Sequence, residues 1–376
     1  MATTTVSLNQ LLSAPVVTRV ISTIRTPQSK LQEFLGFQPG GANRNPVGGH
    51  YHGWDIFDKT RTIATGRPPG TGPATIAPQI IGHVHATLYR AHEKIRLLDE
   101  RIFRIRPLGR GYDSVDIAGQ QYITSQEAHL AQRFRNSREF MVTRMLRGTF
   151  QLKQSGDDWI PVDSGGTFTV DYQIPAANKT QLNLTGAGNR IDVSWDNTGA
   201  DVPKQLLNIN ADFEELHGFP LKHVWCNTTI LNHLLNNDRL IELGGTSNVM
   251  FDQFARTTSP TEDNRPDTGF VVSFKGVPWC LFHVYDGGIT VDGTYTKHLA
   301  ATAAVFLPDP SPDWTEMVEG SELVRENVLS PPVERFGLAG WSEPITQPSG
   351  HELLAVDNAL PALYLPKCVG YGTVVF

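Results

Sequence analysis

The 376-residue sequence predicts an α+β protein. Three observations support this class: a long strand-rich hairpin, one long amphipathic helix after it, and a later unit in which helices alternate with strands. The composition fits a folded chain, because 40% of the residues are apolar and 19% are charged. No apolar run reaches the roughly 18 residues that a membrane-spanning helix needs.

Residues 1–49 are predicted to form an arm rather than a domain. Short helices are expected at 7–14 and 26–36. Proline and glycine residues lie between and after them, so this segment has no continuous apolar pattern with which to build a core. The first ten residues also lack the basic and apolar segments of a secretory signal.

Residues 50–100 are predicted to form a long β-hairpin with limbs at 50–66 and 83–100. Both limbs are rich in β-branched and aromatic residues, yet neither has a continuous apolar face. A two-stranded hairpin is only marginally stable by itself in water. We therefore expect it to extend from its own subunit and pack on a neighbouring one.

The tip of this hairpin contains the sequence RPPGTGPA at 67–74, which is close to an ATPase phosphate loop. Arg67 replaces the first glycine of that loop. Pro73 stands where a phosphate-binding lysine is needed, and Ala74 replaces the Ser or Thr that binds Mg²⁺. A mobile Pro/Gly-rich tip is therefore favoured, with a cytosolic nucleotide hydrolase as the less favoured alternative.

A single long helix is predicted at 124–147. Thr124 and Glu127 form a capping-box pattern at its start, and Gly148 is a typical helix stop. The opposite face is rich in arginine and is predicted to be solvated or to contact an anionic partner. The residues predicted to face the core of the same domain, at helical spacing, are Leu130, Phe134, Met141 and Met145.

The second half of the chain is predicted to begin a new unit near residue 200. Helices are expected at 202–218 and 228–243. Strands are expected at 302–308 and again near the C-terminus, at 351–366.

Charge is distributed unevenly along the chain, whose formal net charge is −6. Residues 1–150 hold 19 Lys and Arg against 10 Asp and Glu, whereas residues 151–376 hold 13 against 28. This asymmetry suggests that the basic half faces an anionic partner, or that the halves of neighbouring copies face each other.

Candidate chemical groups are sparse. His50, His52, His83 and His85 could meet on paired strands, but no carboxylate or cysteine pattern accompanies them, so a metal site is not favoured. Three widely spaced cysteines predict buried thiols in a reducing compartment. We predict no catalytic residue, no cofactor and no metal, and hence no enzyme.

The order of these parts, with stretches such as FDKTRTIATGRPPGTGP, RFRNSREFMVTRML and ELLAVDNALPALYLPKCVGYGTVV, resembles the lambda-type major capsid protein family of tailed bacteriophages. The resemblance implies the tailed-phage major capsid fold. Its parts would be an N-terminal arm (1–49), an extended loop (50–100), a peripheral domain (101–200) with spine helix 124–147, an axial domain (201–324) and C-terminal strands (325–376) that return to the peripheral domain.

The resemblance also implies a function. The protein would be the head-shell subunit of a tailed phage, assembling in the host cytoplasm into pentamers and hexamers around double-stranded DNA, without a membrane. A separate scaffolding protein, a portal and a decoration protein are the expected partners. An encapsulin-like compartment shell is the alternative.

Particular side chains of the extended loop follow from this interpretation. Lys59 and Lys94 are its only lysines and neither is near the tip, so cross-linking between subunits is not expected. The residues expected to contact neighbouring copies are Trp54, Arg61, Arg67, Tyr89, Arg90, Glu93 and Arg96.

Overall fold

The computed structural model describes residues 12–23, 29–56, 82–98, 117–156, 158–244, 249–251, 270–275, 277–291, 293–325, 331–346 and 349–376. The chain divides into two compact units. Unit 1 comprises Met1–His52, Ala86–Val142 and Glu316–Pro361, and unit 2 comprises Gly53–His85, Thr143–Thr315 and Ala362–Phe376.

The described residues form six α-helices, of which the third is by far the longest. They are α1 Ala14–Thr23, α2 Lys30–Phe34, α3 Ile117–Arg147, α4 Val202–His217, α5 Thr228–Leu235 and α6 Asp238–Gly244. Within the described ranges, none of these helices is both long enough and apolar enough to cross a membrane.

The same residues form twenty strands in five sheets. They are β1 Arg44–Val47, β2 Tyr51–Ile56, β3 Gly82–Thr87, β4 Tyr89–Leu98, β5 Thr149–Ser155, β6 Asp158–Val162, β7 Phe168–Asp171, β8 Lys179–Thr180, β9 His223–Cys226, β10 Val249–Phe251, β11 Phe270–Phe274, β12 Val277–Val284, β13 Gly288–Val291, β14 Thr294–Lys297, β15 Ala303–Leu307, β16 Thr315–Arg325, β17 Pro332–Phe336, β18 Leu338–Thr346, β19 Ser349–Leu363 and β20 Gly370–Thr373.

Unit 1 is built on a six-stranded sheet in the order β1-β16-β19-β18, with β17 on β16 and β4 on β19. Its main core is a cluster of buried apolar side chains from α1, α3, β4, β18 and β19, including Leu97, Phe134, Leu338 and Leu353. The cluster indicates that α3 covers one side of this sheet, which we call the inner face.

Part of the predicted arm packs into unit 1. Val17 and Ile21 of α1 are fully buried in the same core. A Cβ added to Gly340 of β18 would lie 2.8 Å from side-chain atoms of both residues, so the helix approaches the strand closely. Thr18 Oγ1 donates to the Gly340 carbonyl at 2.9 Å and accepts from its amide at 3.0 Å. Glycine at 340 therefore permits this close approach.

Helix α3 starts earlier than predicted. It is already helical at Ile117, so Thr124 lies inside the helix and does not cap it. Glu127, expected at the third helical position, is a buried residue of the helix interior. The capping-box pattern was misleading because no residue between 117 and 124 breaks the helix. The predicted end is correct, since Gly148 follows Arg147 with φ of +100°.

Unit 2 contains a seven-stranded sheet in the order β10-β11-β12-β9-β15-β20-β8. Its core joins this sheet to α4 and α5 through buried residues such as Ile209, Phe213 and Phe282. The Asp201 side chain accepts from Lys204 N and caps α4, and Gly218 in the left-handed region ends it. The helix predicted at 202–218 therefore forms nearly as expected.

The helix predicted at 228–243 is two helices, α5 and α6. The side chain of Asn237 explains the break. It accepts from Leu240 N at 3.0 Å, which caps the start of α6, and donates to Ala200 O at 2.9 Å. The side chain of Asn237 is buried and both of its polar groups are hydrogen-bonded in this arrangement, which favours a new helix start over a continuous helix.

The boundaries of the two units differ from those of the predicted domains. Within 101–200, α3 as far as Val142 belongs to unit 1 and the later residues belong to unit 2. The end of segment 201–324 forms most of β16, in the sheet of unit 1. Residues 362–376 belong to unit 2, where β20 pairs with β15. Pairing between distant strands therefore decides these boundaries.

Candidate functional site

The base of the extended loop is a two-stranded sheet of β2 and β3. Its side chains alternate, and one face carries the buried residues Trp54, Ile56, Val84 and Ala86. Trp54 Nε1 donates to Leu363 O at 3.1 Å, and its ring stacks on Tyr172 at 6.2 Å. The expectation that the limbs lack an apolar face is therefore wrong for these strands.

This packing also corrects the role expected for Trp54. Its side chain is only 3% exposed, and its contacts are with residues of its own chain. It is therefore not available to a neighbouring copy.

Residues 57–81, which include Arg61, Arg67 and the PPGTG sequence, lie outside the described residues.

The four histidines of the metal hypothesis do not come together. His50 Nδ1 lies 2.7 Å from Asn358 Nδ2 in unit 1. His83 and His85 neighbour each other on the exposed face of the hairpin, with ring centroids 3.9 Å apart. Across the described ranges, no group of three or more His, Cys, Asp or Glu residues is arranged to hold a metal ion.

The end of the second limb belongs to the sheet of its own subunit. Strand β4 pairs antiparallel with β19 from Tyr89 opposite Ala359 to Leu98 opposite Gly350. Leu97 is fully buried in the core of unit 1. The expectation that all of 50–100 extends away from its own subunit is therefore wrong for β4. The edge of β19 supplies the hydrogen-bonding partner that the local sequence did not show.

The other side of β4, on what we call the outer face of the sheet, carries a row of basic side chains. Arg90, His92, Lys94 and Arg96 alternate along the strand and are all exposed. Arg90 makes two hydrogen bonds to Glu322, at 3.0 and 3.1 Å. The first residue of the row therefore has a carboxylate partner within the same chain.

Glu352 is the second carboxylate of the outer face. Lys94 Nζ lies 3.1 Å from one of its oxygens, and Arg96 Nε donates to the other at 2.6 Å. These hydrogen bonds hold the pKa of Glu352 below its usual value, and the one from Arg96 has the larger effect. Arg96 and Glu352 thus join β4 to β19 by side chains as well as by backbone.

The inner face of β4 contacts α3 through polar groups. The guanidinium of Arg133 makes two hydrogen bonds to the Glu93 carboxylate. Tyr89, half-buried nearby, has its pKa raised to about 12 by burial and then by the charges of Glu93 and Asp357. Both residues were expected at contacts between copies, and both interact with groups in unit 1.

These pairs bring residues of the two oppositely charged halves of the sequence together. The basic residues Arg90, Lys94 and Arg96 come from the positively charged first 150 residues, and their partners come from the negatively charged remainder. The two halves of the sequence therefore meet within a single unit of one chain. The pattern does not by itself require an anionic partner.

A buried ion cluster lies deeper in unit 1. We use this name for Arg44, Arg138, Glu319 and Asp357. Arg138 makes two hydrogen bonds to Asp357 and lies 2.9 Å from Glu319 Oε1. The second oxygen of Glu319 contacts Arg44 of β1. The cluster thus joins α3, β1, β16 and β19.

Glu139 of α3 has a related role toward the predicted arm. Its two carboxylate oxygens accept from Leu31 N and Gln32 N, both at 2.9 Å. These are amides of the first turn of α2, which no intrahelical carbonyl can satisfy. A fully buried side chain of the long helix therefore caps the short one.

The supposed solvated face of α3 is largely covered. Arg135, Arg138 and Glu139 are each no more than 2% exposed, and Thr143 and Arg144 no more than 5%. Sequence reasoning missed Arg135, Arg138 and Glu139 as buried residues because their partners are more than 100 positions away, as Asp357 is from Arg138. The local pattern contains no signal for such pairing.

The four apolar residues expected in the core are all buried. Leu130, Phe134, Met141 and Met145 are each no more than 2% exposed. Leu130 and Phe134 belong to the core cluster of unit 1. Met145 Sδ lies 3.6 Å from the Thr315 hydroxyl in unit 2.

Unit 2 contains a buried row of histidines and aromatic rings on one face of its large sheet. His223 contacts Asp309 and His283, both at 2.9 Å, and His283 stacks on Trp225 with centroids 4.5 Å apart. Tyr285 in turn stacks on His298 at 5.4 Å. Burial lowers the pKa of His223 and His283, and burial with Arg144 and Arg147 lowers that of His298 to about 3. This row is structural at neutral pH, with uncharged rings.

The chain matches a family model over nearly its whole length. The model describes phage major capsid protein E and matches residues 13–374. No curated protein matches the chain by sequence.

Solved structures with low sequence identity have a similar fold. A phage-related protein of Bordetella bronchiseptica RB50 is 11% identical, with a TM-score of 0.51 over 96% of each chain. A protein assigned as the capsid protein of an Escherichia coli CFT073 prophage is 17% identical, with a TM-score of 0.50 over 77% of this chain and 78% of its own. The chain belongs to the phage major capsid protein E family and has the tailed-phage major capsid fold.

Proposed function

We propose that this chain forms the icosahedral head shell of a tailed phage, assembling into pentamers and hexamers around double-stranded DNA. The observation that carries the proposal is the capsid family match, which extends from residue 13 to residue 374. The chain acts as a structural subunit and not as an enzyme. It assembles in the host cytoplasm and remains in the virion.

Further partners follow from this role. A scaffolding protein would guide assembly, a portal would occupy one vertex, and a decoration protein would bind the finished shell. Packaged DNA would lie close to the inner surface without sequence-specific contacts.

We assign the two units to the domains of the capsid fold. Unit 1, with α3 as the spine helix, is the peripheral domain, and most of unit 2 is the axial domain. Strands β2 and β3 are the base of the extended loop. The tip at 57–81 would reach over a neighbouring copy.

Contacts between copies remain a prediction for Arg61, Arg67, Tyr89, Arg90, Glu93 and Arg96. Support comes from the outer face, because the side chains of Arg90 and Arg96 are still 44% and 62% exposed after pairing with Glu322 and Glu352. An arginine has five N–H donors, so each can contact a second carboxylate.

Negative-stain imaging of the purified protein tests the shell. Closed icosahedral particles, with DNA in those from infected cells, are expected. Shells that instead contain a cargo enzyme would identify an encapsulin-like compartment. A protein that remains monomeric under all conditions, with or without scaffolding protein, would contradict the proposal.

A charge swap tests the contact between copies. Arg90→Glu places a like charge beside Glu322 and should block assembly of DNA-free shells. The double variant Arg90→Glu/Glu322→Arg restores an ion pair within the chain, with the positions of the two charges exchanged. If Arg90 also contacts a neighbour, this swap should not restore assembly. Arg239→Glu, at an exposed ion pair of unit 2, is the matched control.

Recovery of normal shells by the swap would show that Arg90 acts only within its own chain. If the swap does not restore assembly, added salt shows whether Arg90 contacts charges on a neighbouring copy. Contacts between exposed charges on different copies weaken as ionic strength rises, because screening acts over about 8–10 Å. If packaging alone fails in Arg90→Glu, the residue faces DNA.

A further inference from the structure

His298 connects two parts of unit 2 through its backbone. Its carbonyl accepts from Arg147 Nη2, at the end of α3, at 2.6 Å. Its amide donates to Gly287 O, in the turn before β13, at 3.0 Å. The guanidinium of Arg147 also lies over the Tyr371 ring, 5.6 Å from its centroid. One residue thus holds the segment after β14 against both that turn and the end of α3.

The side chain of His298 is enclosed in surroundings that suit only its neutral form. It is 2% exposed and stacks on Tyr285, with centroids 5.4 Å apart and ring planes at 17°. Its Nε2 is buried and has no hydrogen-bond partner among the described residues. A proton added at this nitrogen would find no acceptor there. The enclosed ring is therefore poorly placed to become an imidazolium ion.

The charges near the ring make protonation still less favourable. Arg144 and Arg147 lower the pKa of His298 in addition to the effect of burial. Protonation would therefore add a third positive charge to this group. Within the described ranges, the charged and titratable side chains around His298 and its contact with α3 are Arg144 and Arg147 of α3, Tyr285 of β12, Asp286 of the turn before β13, Lys297 of β14 and Tyr371 of β20.

We propose that His298 is an acid-sensitive switch: when its ring binds a proton, the segment after β14 separates from the end of α3 while the rest of unit 2 stays folded. The ring then reaches water, where an imidazolium ion is solvated. The Arg147 contact and the Gly287 contact break with it, because both belong to the backbone of the same residue. Such an opening is local and exposes little surface.

Hydrogen exchange of the unassembled full-length chain, followed by mass spectrometry on peptides that contain residue 298, tests this switch. After correction for the intrinsic exchange rate, the His298 amide should open about 30-fold more often at pH 5 than at pH 7.5, because an exposed imidazole titrates near pH 6.5. In His298→Phe the opening should be the same at both pH values. His298→Gln, which is also uncharged, should behave in the same way. His129→Gln, at an exposed histidine of α3, is the matched control and should keep the full change.

Low concentrations of guanidinium distinguish this local opening from global unfolding. The frequency of a local opening hardly depends on denaturant, whereas that of global unfolding rises steeply. The amide of Leu231 in α5, which donates to Asn227 O, is the reference and should stay better protected than that of His298. Three results would overturn the proposal: equal opening at the two pH values, an unchanged pH response in both variants at 298, or the same steep denaturant dependence for both amides. None of them depends on whether the chain forms shells.

Discussion

Arg138 and Asp357 form a two-bond ion pair in the interior of unit 1. Arg138 Nε donates to Asp357 Oδ2 at 2.7 Å, and Nη2 donates to Oδ1 at 2.6 Å. Neither side chain is more than 3% exposed. Arg138 also donates to Phe37 O at 3.0 Å, so the pair connects α3, β19 and the segment that follows α2.

Asp357→Asn should therefore be strongly destabilising. Removing one partner of a buried pair leaves the other charge without compensation, which typically costs about 3–5 kcal/mol. Guanidinium denaturation of the unassembled subunit measures this loss. Glu93→Gln, in β4, removes the carboxylate partner of Arg133, an exposed residue of the long helix, and should cost about 0–1 kcal/mol. Equal effects of the two substitutions would contradict this account.

Phe134→Ala should destabilise unit 1 by about 3–5 kcal/mol, since the side chain is buried in the cluster between α3 and the sheet. Soluble yield should fall with it. Gln132→Ala, at an exposed position of the same helix, is the control. An unchanged melting temperature for Phe134→Ala would show that this helix face does not stabilise the unit.

Glu127→Gln should stabilise the protein at alkaline pH. Burial raises the pKa of Glu127 from 4.5 to about 7, and its Oε1 has no partner among the described residues. Between pH 4.5 and about pH 7, Glu127 binds more protons in the folded chain than in the unfolded chain, so stability falls as the pH rises. At pH 8 this effect lowers the free energy of unfolding by up to ~3 kcal/mol.

Denaturation at pH 4.5 and pH 8 measures this effect. The gain from Glu127→Gln should be present at pH 8 and small at pH 4.5. Glu343→Gln, at an exposed glutamate of β18, is the control. A gain of the same size at both pH values would point to packing and not to the charge.

The histidine row of unit 2 should make the protein sensitive to acid. His298 has a pKa of about 3 when folded, below its usual 6.5. The unfolded chain therefore gains a proton here as the pH falls below 6.5, and stability is lost progressively down to the folded pKa. His223 and His283, whose pKa values are also lowered, add to the loss.

His298→Phe keeps a ring against Tyr285 but removes the titrating group. At pH 5 it should recover about 2 kcal/mol relative to the unsubstituted chain, and little at pH 7.5. Denaturation midpoints at the two pH values give the comparison, with His129→Gln as the exposed control. A pH dependence that His298→Phe leaves unaltered would rule out this origin.

Local patterns predicted the features that depend on a few neighbouring residues. Helical spacing identified Leu130 and Phe134 as one face of α3, and Gly148 marked its end because a left-handed residue suits glycine. The alternation of helices and strands predicted the α+β class. The family resemblance, which the match over residues 13–374 confirms, came from the order of such parts.

The tertiary structure alone decided which segments pair. Arg96 and Glu352 are 256 positions apart, and nothing near Arg96 indicates that β4 lies beside β19 rather than over another subunit. The same holds for the buried face of Trp54 and for the polar residues of α3, which looked solvated. A local sequence specifies periodicity and helix ends, but the burial of a charge depends on a partner brought by long-range packing. For that reason the sequence by itself determined the family, the fold class and the core of the long helix, whereas the folded chain decided where the basic half meets the acidic half.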